Sequence, residues 1–176
     1  MKKVVLLILL LLVAFAVWCT LAYNRIIRAD ENVSAAWGKV ENVCRRRTDM
    51  LPSKLAMVRR AGYSSDTLAA VVSAREAAAI CAVEDLSEEE TARYRSVQDA
   101  LGKALDDLSL AVSFRPEEQS GGECREALAS LEGIGEKIYT AGSLFNDASS
   151  EYNTLVRTFP GNLLAAVFKF GLKGSF

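Results

Sequence analysis

The chain carries 21 Lys and Arg against 22 Asp and Glu over 176 residues, with no histidine and a formal net charge of −1. That balance excludes the basic domain or stripe of a nucleic-acid binder. Ala, Leu, Val, Glu and Arg are abundant and only three prolines interrupt them, a composition that favours helix and suits one domain with a sizeable core.

The first element, Val4 to Ala22, reads VVLLILLLLVAFAVWCTLA and holds no charge, no Gly and no Pro. As a helix it measures about 28 Å, close to the ~30 Å hydrocarbon layer. In lipid its backbone groups must be satisfied within the segment, so helix is the spanning form open to it. Two rival readings exist. Lys2 and Lys3 before an apolar run, with Ala14-Phe15-Ala16 as a small-x-small site, describe a cleaved secretory signal. Cys19 could be lipid-modified after cleavage. The apolar character runs on through Val17, Trp18 and Leu21, and bulky Trp18 suits neither alternative. We therefore expect an uncleaved anchor over residues 1–22. Arg25, Arg28 and Lys39 after the span nearly offset Lys2 and Lys3 before it. The short basic leader favours a cytoplasmic N-terminus with the rest of the chain outside.

Beyond the anchor, Tyr23, Ile26, Asp30, Val33, Trp37, Val40, Cys44 and Leu51 recur at three- and four-residue steps, the stripe of a long amphipathic helix. No Gly or Pro before Gly38 separates it from the anchor, so the two form one rod. Pro52 disfavours helix at Leu51 and suits a new first turn. A hairpin is expected around Asp49 to Pro52, with a kinked continuous helix as the alternative. The second helix then runs from Ser53 to about Asp85, its small Ala74, Ala77, Ala78 and Ala79 allowing close approach.

Ser87 with Glu90 three residues later is a capping box, and Glu88 and Glu89 suit the positive end of a helix. The third helix carries Tyr94, Val97, Leu101, Ala104, Leu108 and Ala111 and stops near Phe114, before Pro116 and Gly121-Gly122. The last helix spans about Glu123 to Phe159 on the stripe Cys124, Leu128, Leu131, Ile138, Phe145, Tyr152 and Phe159. Gly133, Gly135 and Gly142 inside it each cost ~1 kcal/mol relative to Ala and mark expected close contact with another helix. Pro160-Gly161 ends it. The fold class is all-α: one N-terminal transmembrane helix, then an antiparallel up-and-down bundle of about four long helices. The organisation is anchor 1–22, bundle 23–160 and apolar tail 161–176. That topology returns the tail to the bilayer, where it lies in the interface or packs on the bundle's end.

Three aromatic–Asn pairs stand out: Tyr23-Asn24, Phe145-Asn146 and Tyr152-Asn153. The favoured reading puts the rings in the core and has the amides tie neighbouring helices together. Arg45, Arg46 and Arg47, with Asp49, either bind an acidic group or complement a helix C-terminus. Asp30 interrupts an apolar stripe and needs a partner if buried. Counted from a hairpin at Pro52, its level matches Arg75, so an Asp30–Arg75 ion pair is expected. Cys44, Cys81 and Cys124 lack metal-ligand spacing and read as small core residues. With no phosphate loop, nucleophile elbow or metal motif, neither enzyme activity nor a cofactor is expected.

The ordered signals resemble the LemA family of bacterial membrane proteins. The resemblance rests on YNRIIRADENVSAAW (Tyr23 to Trp37), RRRTDMLPSKL (Arg45 to Leu55), VVSAREAA (Val71 to Ala78) and the stretch from Glu136 to Phe170. The pattern combines Tyr23-Asn24, Ala36-Trp37, Arg46-Arg47 with Asp49 and Pro52, Ala74-Arg75, and Tyr152-Asn153 followed by Phe159-Pro160. Ser53, Gly142 and Phe145 depart from its usual residues. The resemblance implies a membrane helix and a long-helix bundle in a bacterial cell membrane, and it supplies no reaction. It marks these residues as a candidate interaction or structural motif. Besides the bilayer, it implies a membrane or envelope protein as partner, membrane proteases being associated with relatives through gene neighbourhoods.

Overall fold

The computed structural model describes residues 2–63, 65–114 and 121–176, all helix and connecting segments with no strand among them. The expected breaker Pro116 lies outside the described residues. Five helices follow in order: α1 (Lys2–Arg60), α2 (Ser65–Ile80), α3 (Glu88–Ser113), α4 (Gly121–Arg157) and α5 (Gly161–Phe168).

At about 1.5 Å per residue α1 is about 88 Å long, and it is two things in one helix. Its first part is apolar and exposed, with mean hydropathy 3.1 over its most apolar window, long and apolar enough to cross a membrane. From Ile26 onward it buries one face, through Val33, Trp37, Val40, Cys44, Leu51 and Val58. The expected stripe is therefore observed and extends past Leu51.

The hairpin at Asp49 to Pro52 is not formed. Helix α1 continues through Pro52 and ends at Arg60. An interior proline removes one helical donor and costs about 3 kcal/mol. The carbonyl left without its N–H is that of Thr48, four residues back, and Arg75 Nε on α2 donates to it at 3.1 Å. The chain turns one helical stretch later, at Ala61 to Tyr63. There Gly62 takes the left-handed φ of +77°, and its N–H closes on the Arg59 carbonyl at 3.1 Å, a usual way to end a helix. The second helix is correspondingly short.

Helix α4 packs antiparallel along α1. The Cys124 thiol reaches the Met57 carbonyl at 3.8 Å, and Phe145 meets Trp37 edge-on with ring centroids 5.1 Å apart. Helices α2 and α3 form a hairpin laid against this pair. Full burial of Val33, Val40 and Leu51 on α1, Leu101 and Leu108 on α3, and Phe145 on α4 places the core between these three helices, each side chain contributing about 1.5–3 kcal/mol. The cap of α3 is half the expected box. Ser87 Oγ accepts from Glu90 N–H at 3.4 Å, but the Ser87 N–H is taken by Asp85 at 2.9 Å. Glu90 pairs with Arg93 at 2.7 Å instead.

Candidate functional site

Two groups of residues gather where α1 passes from its apolar part to its buried part. The first is aromatic. Helix α4 stops at Arg157, so Phe159 leaves the core stripe and lies against Trp18 with centroids 5.2 Å apart. Tyr23 stacks on Phe168 at 4.9 Å and on Phe170 at 5.9 Å. Ring pairs of this kind contribute about 0.5–1.5 kcal/mol beyond the area they bury. They fix α5 beside α1 while the outer side of this region stays bare: Phe159, just before α5, is 60 % exposed, and Val167 and Phe168 on α5 are 73 % and 53 % exposed. Phe159 shares a shallow cleft with Trp18 and Leu21, which are themselves exposed.

The second group clamps the last residues. Lys169 adopts a left-handed φ of 57° and ends α5, and the chain runs back along α4. Asn153 exchanges two hydrogen bonds with the Lys173 backbone, at 2.8 and 2.9 Å. Asn146 does the same with Phe176, at 2.8 and 2.7 Å. Two helical turns advance about 10.5 Å and three extended residues about 10 Å, so one amide per heptad matches every third residue of the returning chain. Lys173 Nζ pairs with Asp30 at 2.8 Å and lies 5.3 Å from the Tyr152 ring centroid. Gly174 N–H donates to the Leu86 carbonyl at 2.9 Å. A Cβ on Gly174 would strike the Thr91 hydroxyl and come within 2.7 Å of Glu88 Cα. Phe176 packs its ring on Trp37 and Tyr94, where a Cβ on Gly142 would stand 2.5 Å from its Cδ1.

These contacts correct three expectations. Asp30 pairs with Lys173 and not with Arg75, because the turn sits at Gly62 and brings Arg75 level with Thr48. Asn146 and Asn153 tie down the tail, not a neighbouring helix. The α4 glycines make no close helix contact: Gly142 accommodates Phe176, and a Cβ on Gly133 or Gly135 would meet nothing within 4 Å.

The motif residues thus fall in separate places. Tyr23, Tyr152, Asn153, Phe159 and Pro160 gather at the α1–α5 junction, with Asn24 exposed beside them. Phe159–Pro160 is a cis peptide and Pro160 begins α5. Trp37 is buried midway. Arg46, Asp49 and Pro52 are exposed further along α1. Arg47 is only 5 % exposed, and its Nη2 donates to the Gln98 carbonyl at 2.9 Å and to Gln98 Oε1 at 2.8 Å. Burial holds its guanidinium below the usual range and pushes the neighbouring Cys44 thiol and Tyr94 hydroxyl up. Periodicity could have marked Arg47, which falls on the stripe three residues after Cys44. Gln98 likewise falls between Tyr94 and Leu101. The role of Lys173 had no local signal.

The sequence model of the LemA family matches residues 36–176. The chain belongs to the LemA family. The match takes in Trp37, Arg47, Pro52, both clamp asparagines and the tail they hold, while the apolar run and Tyr23-Asn24 precede it. No curated protein and no solved structure matches the chain. Among the described residues of this LemA-family protein, no group of three or more Cys, Asp or Glu side chains could hold a metal ion. What the arrangement offers is a continuous helix, an apolar collar and a clamped tail.

Proposed function

We propose that this LemA-family protein is a non-enzymatic, single-pass scaffold that presents its bundle to a membrane or envelope protein partner at a bacterial cell membrane. The observation behind this reading is that the apolar part of α1 and the helix forming the bundle core are one unbroken helix. Between Lys2 and Trp37 this helix holds no Gly or Pro, so the junction of the apolar part with the bundle has none of the usual soft joints and transmits position and orientation. The N-terminus is cytoplasmic and the bundle outside, as the basic leader favours. The family resemblance makes a membrane protease the first partner class to test. Crosslinking in native membranes, followed by detergent pull-down, tests the reading. A discrete crosslinked partner is expected, and its yield should fall when a flexible Gly-Ser linker is inserted between Ala22 and Tyr23. A strictly solitary protein would overturn it.

A second reading, lipid contact through α5, is favoured by Phe159 lying against Trp18. Trp and Tyr prefer the membrane–water boundary, and rings stacked on Trp18 and Tyr23 share that level. With p-benzoylphenylalanine in place of Phe168, irradiation in membranes should yield lipid adducts. Adducts to protein alone would remove this reading.

A further inference from the structure

Between α3 and α4 lies a groove of ≈ 580 Å³ that runs from the clamped tail away from the collar. Positions 95 to 106 of α3 and 135 to 146 of α4 form its walls, and Arg47 of α1 reaches it from between them. Over that length each helix advances about 16 Å, the span of about five extended residues. Glycine opens both walls. A Cβ on Gly135 would meet nothing within 4 Å, and one on Gly102 would meet only Arg47 Nη1, at 3.8 Å. Glycine in a helix interior is unfavourable; at Gly135 no neighbouring side chain borders the space it leaves, and at Gly102 only the Arg47 guanidinium does.

The floor of the groove is an incompletely compensated cation. Arg47 is 5 % exposed. Among the described residues its hydrogen bonds leave from Nη2 and go to neutral Gln98. Its Nε is buried without a partner, and it makes no ion pair among the described residues. On the walls, Arg95 pairs with Asp99 at 3.6 Å. The lining holds three cations, Arg47, Arg95 and Lys103, against two carboxylates, Asp99 and Asp106, whose field reaches Arg47 without an ion pair, so the groove carries one positive charge in surplus. A buried charge is stable in proportion to how well it is paired, so the floor is suited to a carboxylate.

The membrane-proximal end of the groove shows how a chain is held there. Phe176 lies extended against α4, its backbone paired with the Asn146 amide and its ring over Gly142. We propose that the groove binds an extended segment of a partner protein bearing an acidic side chain, its carboxylate on Arg47 and its backbone over Gly102 and Gly135. This deepens, and rests on, the reading of the protein as an interaction scaffold. Charge complementarity selects the carboxylate, and the two glycine walls leave room for main chain where side chains would stand.

The test uses the full chain in lipid nanodiscs and a blocked pentapeptide with a central glutamate flanked by glycine and serine. Titration followed by NMR is expected to shift the Gly102 and Gly135 amides, with at least tenfold weaker binding of the glutamine counterpart. Gly135→Leu fills the groove and should melt no lower than wild type while losing at least tenfold in peptide affinity. Arg47→Gln should lose the glutamate preference. Three results overturn the proposal: equal binding of both peptides, unchanged binding by Gly135→Leu, or displacement of the peptide by equimolar inorganic phosphate. Membrane crosslinking of Gly135→Leu separates the two readings. Loss of the partner crosslink supports the groove, whereas a retained crosslink leaves the scaffold standing and sinks the groove as its docking site.

Discussion

Arg75 Nε and the Thr48 carbonyl stand 3.1 Å apart, and this bond supplies from α2 the donor that Pro52 removes from α1. A hydrogen bond from a charged donor contributes about 1.5–3 kcal/mol, comparable to the roughly 3 kcal/mol that an interior proline costs. Arg75→Met should therefore destabilise the protein by about 1.5–3 kcal/mol in denaturant unfolding. In a Pro52→Ala background, where the restored backbone N–H at position 52 can reach the Thr48 carbonyl, the same substitution should cost clearly less. Equal losses in both backgrounds would show that Arg75 acts elsewhere.

The tail clamp makes a graded prediction. Asn153→Ala and Asn146→Ala each remove two backbone hydrogen bonds, worth about 1–3 kcal/mol together. Hydrogen exchange should rise over residues 170–176 in both variants and stay unchanged in the α1–α4 core. Asp30→Asn should do less, about 0–1 kcal/mol, because both members of the Lys173 pair are partly exposed.

The glycines of α4 should divide by environment. Gly135→Ala adds a methyl where nothing lies within 4 Å and should stabilise by up to about 1 kcal/mol through helix propensity. Gly142→Ala adds it 2.5 Å from Phe176 Cδ1, so the ring must leave its place on Trp37. A changed tryptophan emission spectrum and a lower melting temperature are expected for Gly142→Ala alone.

Burial raises the Cys44 thiol above its ordinary 9.0 and the Tyr94 hydroxyl above its ordinary 10.0. The folded state thus keeps protons that the unfolded chain gives up as pH climbs through those values. Stability from these groups is complete below about pH 9 and declines above it. Melting temperature should be flat from about pH 7 to about 8.5 and fall beyond. Combining Cys44→Ala with Tyr94→Phe should lessen the decline, leaving the part that the raised Tyr152 and Cys124 supply.

Much of the architecture was legible from neighbours in the chain. The apolar run to Ala22, the stripe from Ile26 through Val40 to Leu51, and the Ser87 cap of α3 each depend on residues within a few helical turns. Periodicity and capping report such residues directly. The reading of Pro52 as a turn failed because the local rule says only that a donor is missing. The side chain that replaces it comes from Arg75 on another helix.

The same division runs through the candidate site. Composition and spacing alone specify the apolar segment, its unbroken passage into the first amphipathic stripe and the aromatic–Asn pairs. Helix packing is what sets Asn146 and Asn153 on the tail, Lys173 against Asp30, and Arg47 under a glycine-walled groove. Those pairings join groups far apart in the chain, and their register follows from where α1 turns. Moving that turn from Pro52 to Gly62 changes which residues stand level on facing helices. A buried charge or an orphaned carbonyl is then satisfied by whatever the packed helices bring within about 3 Å.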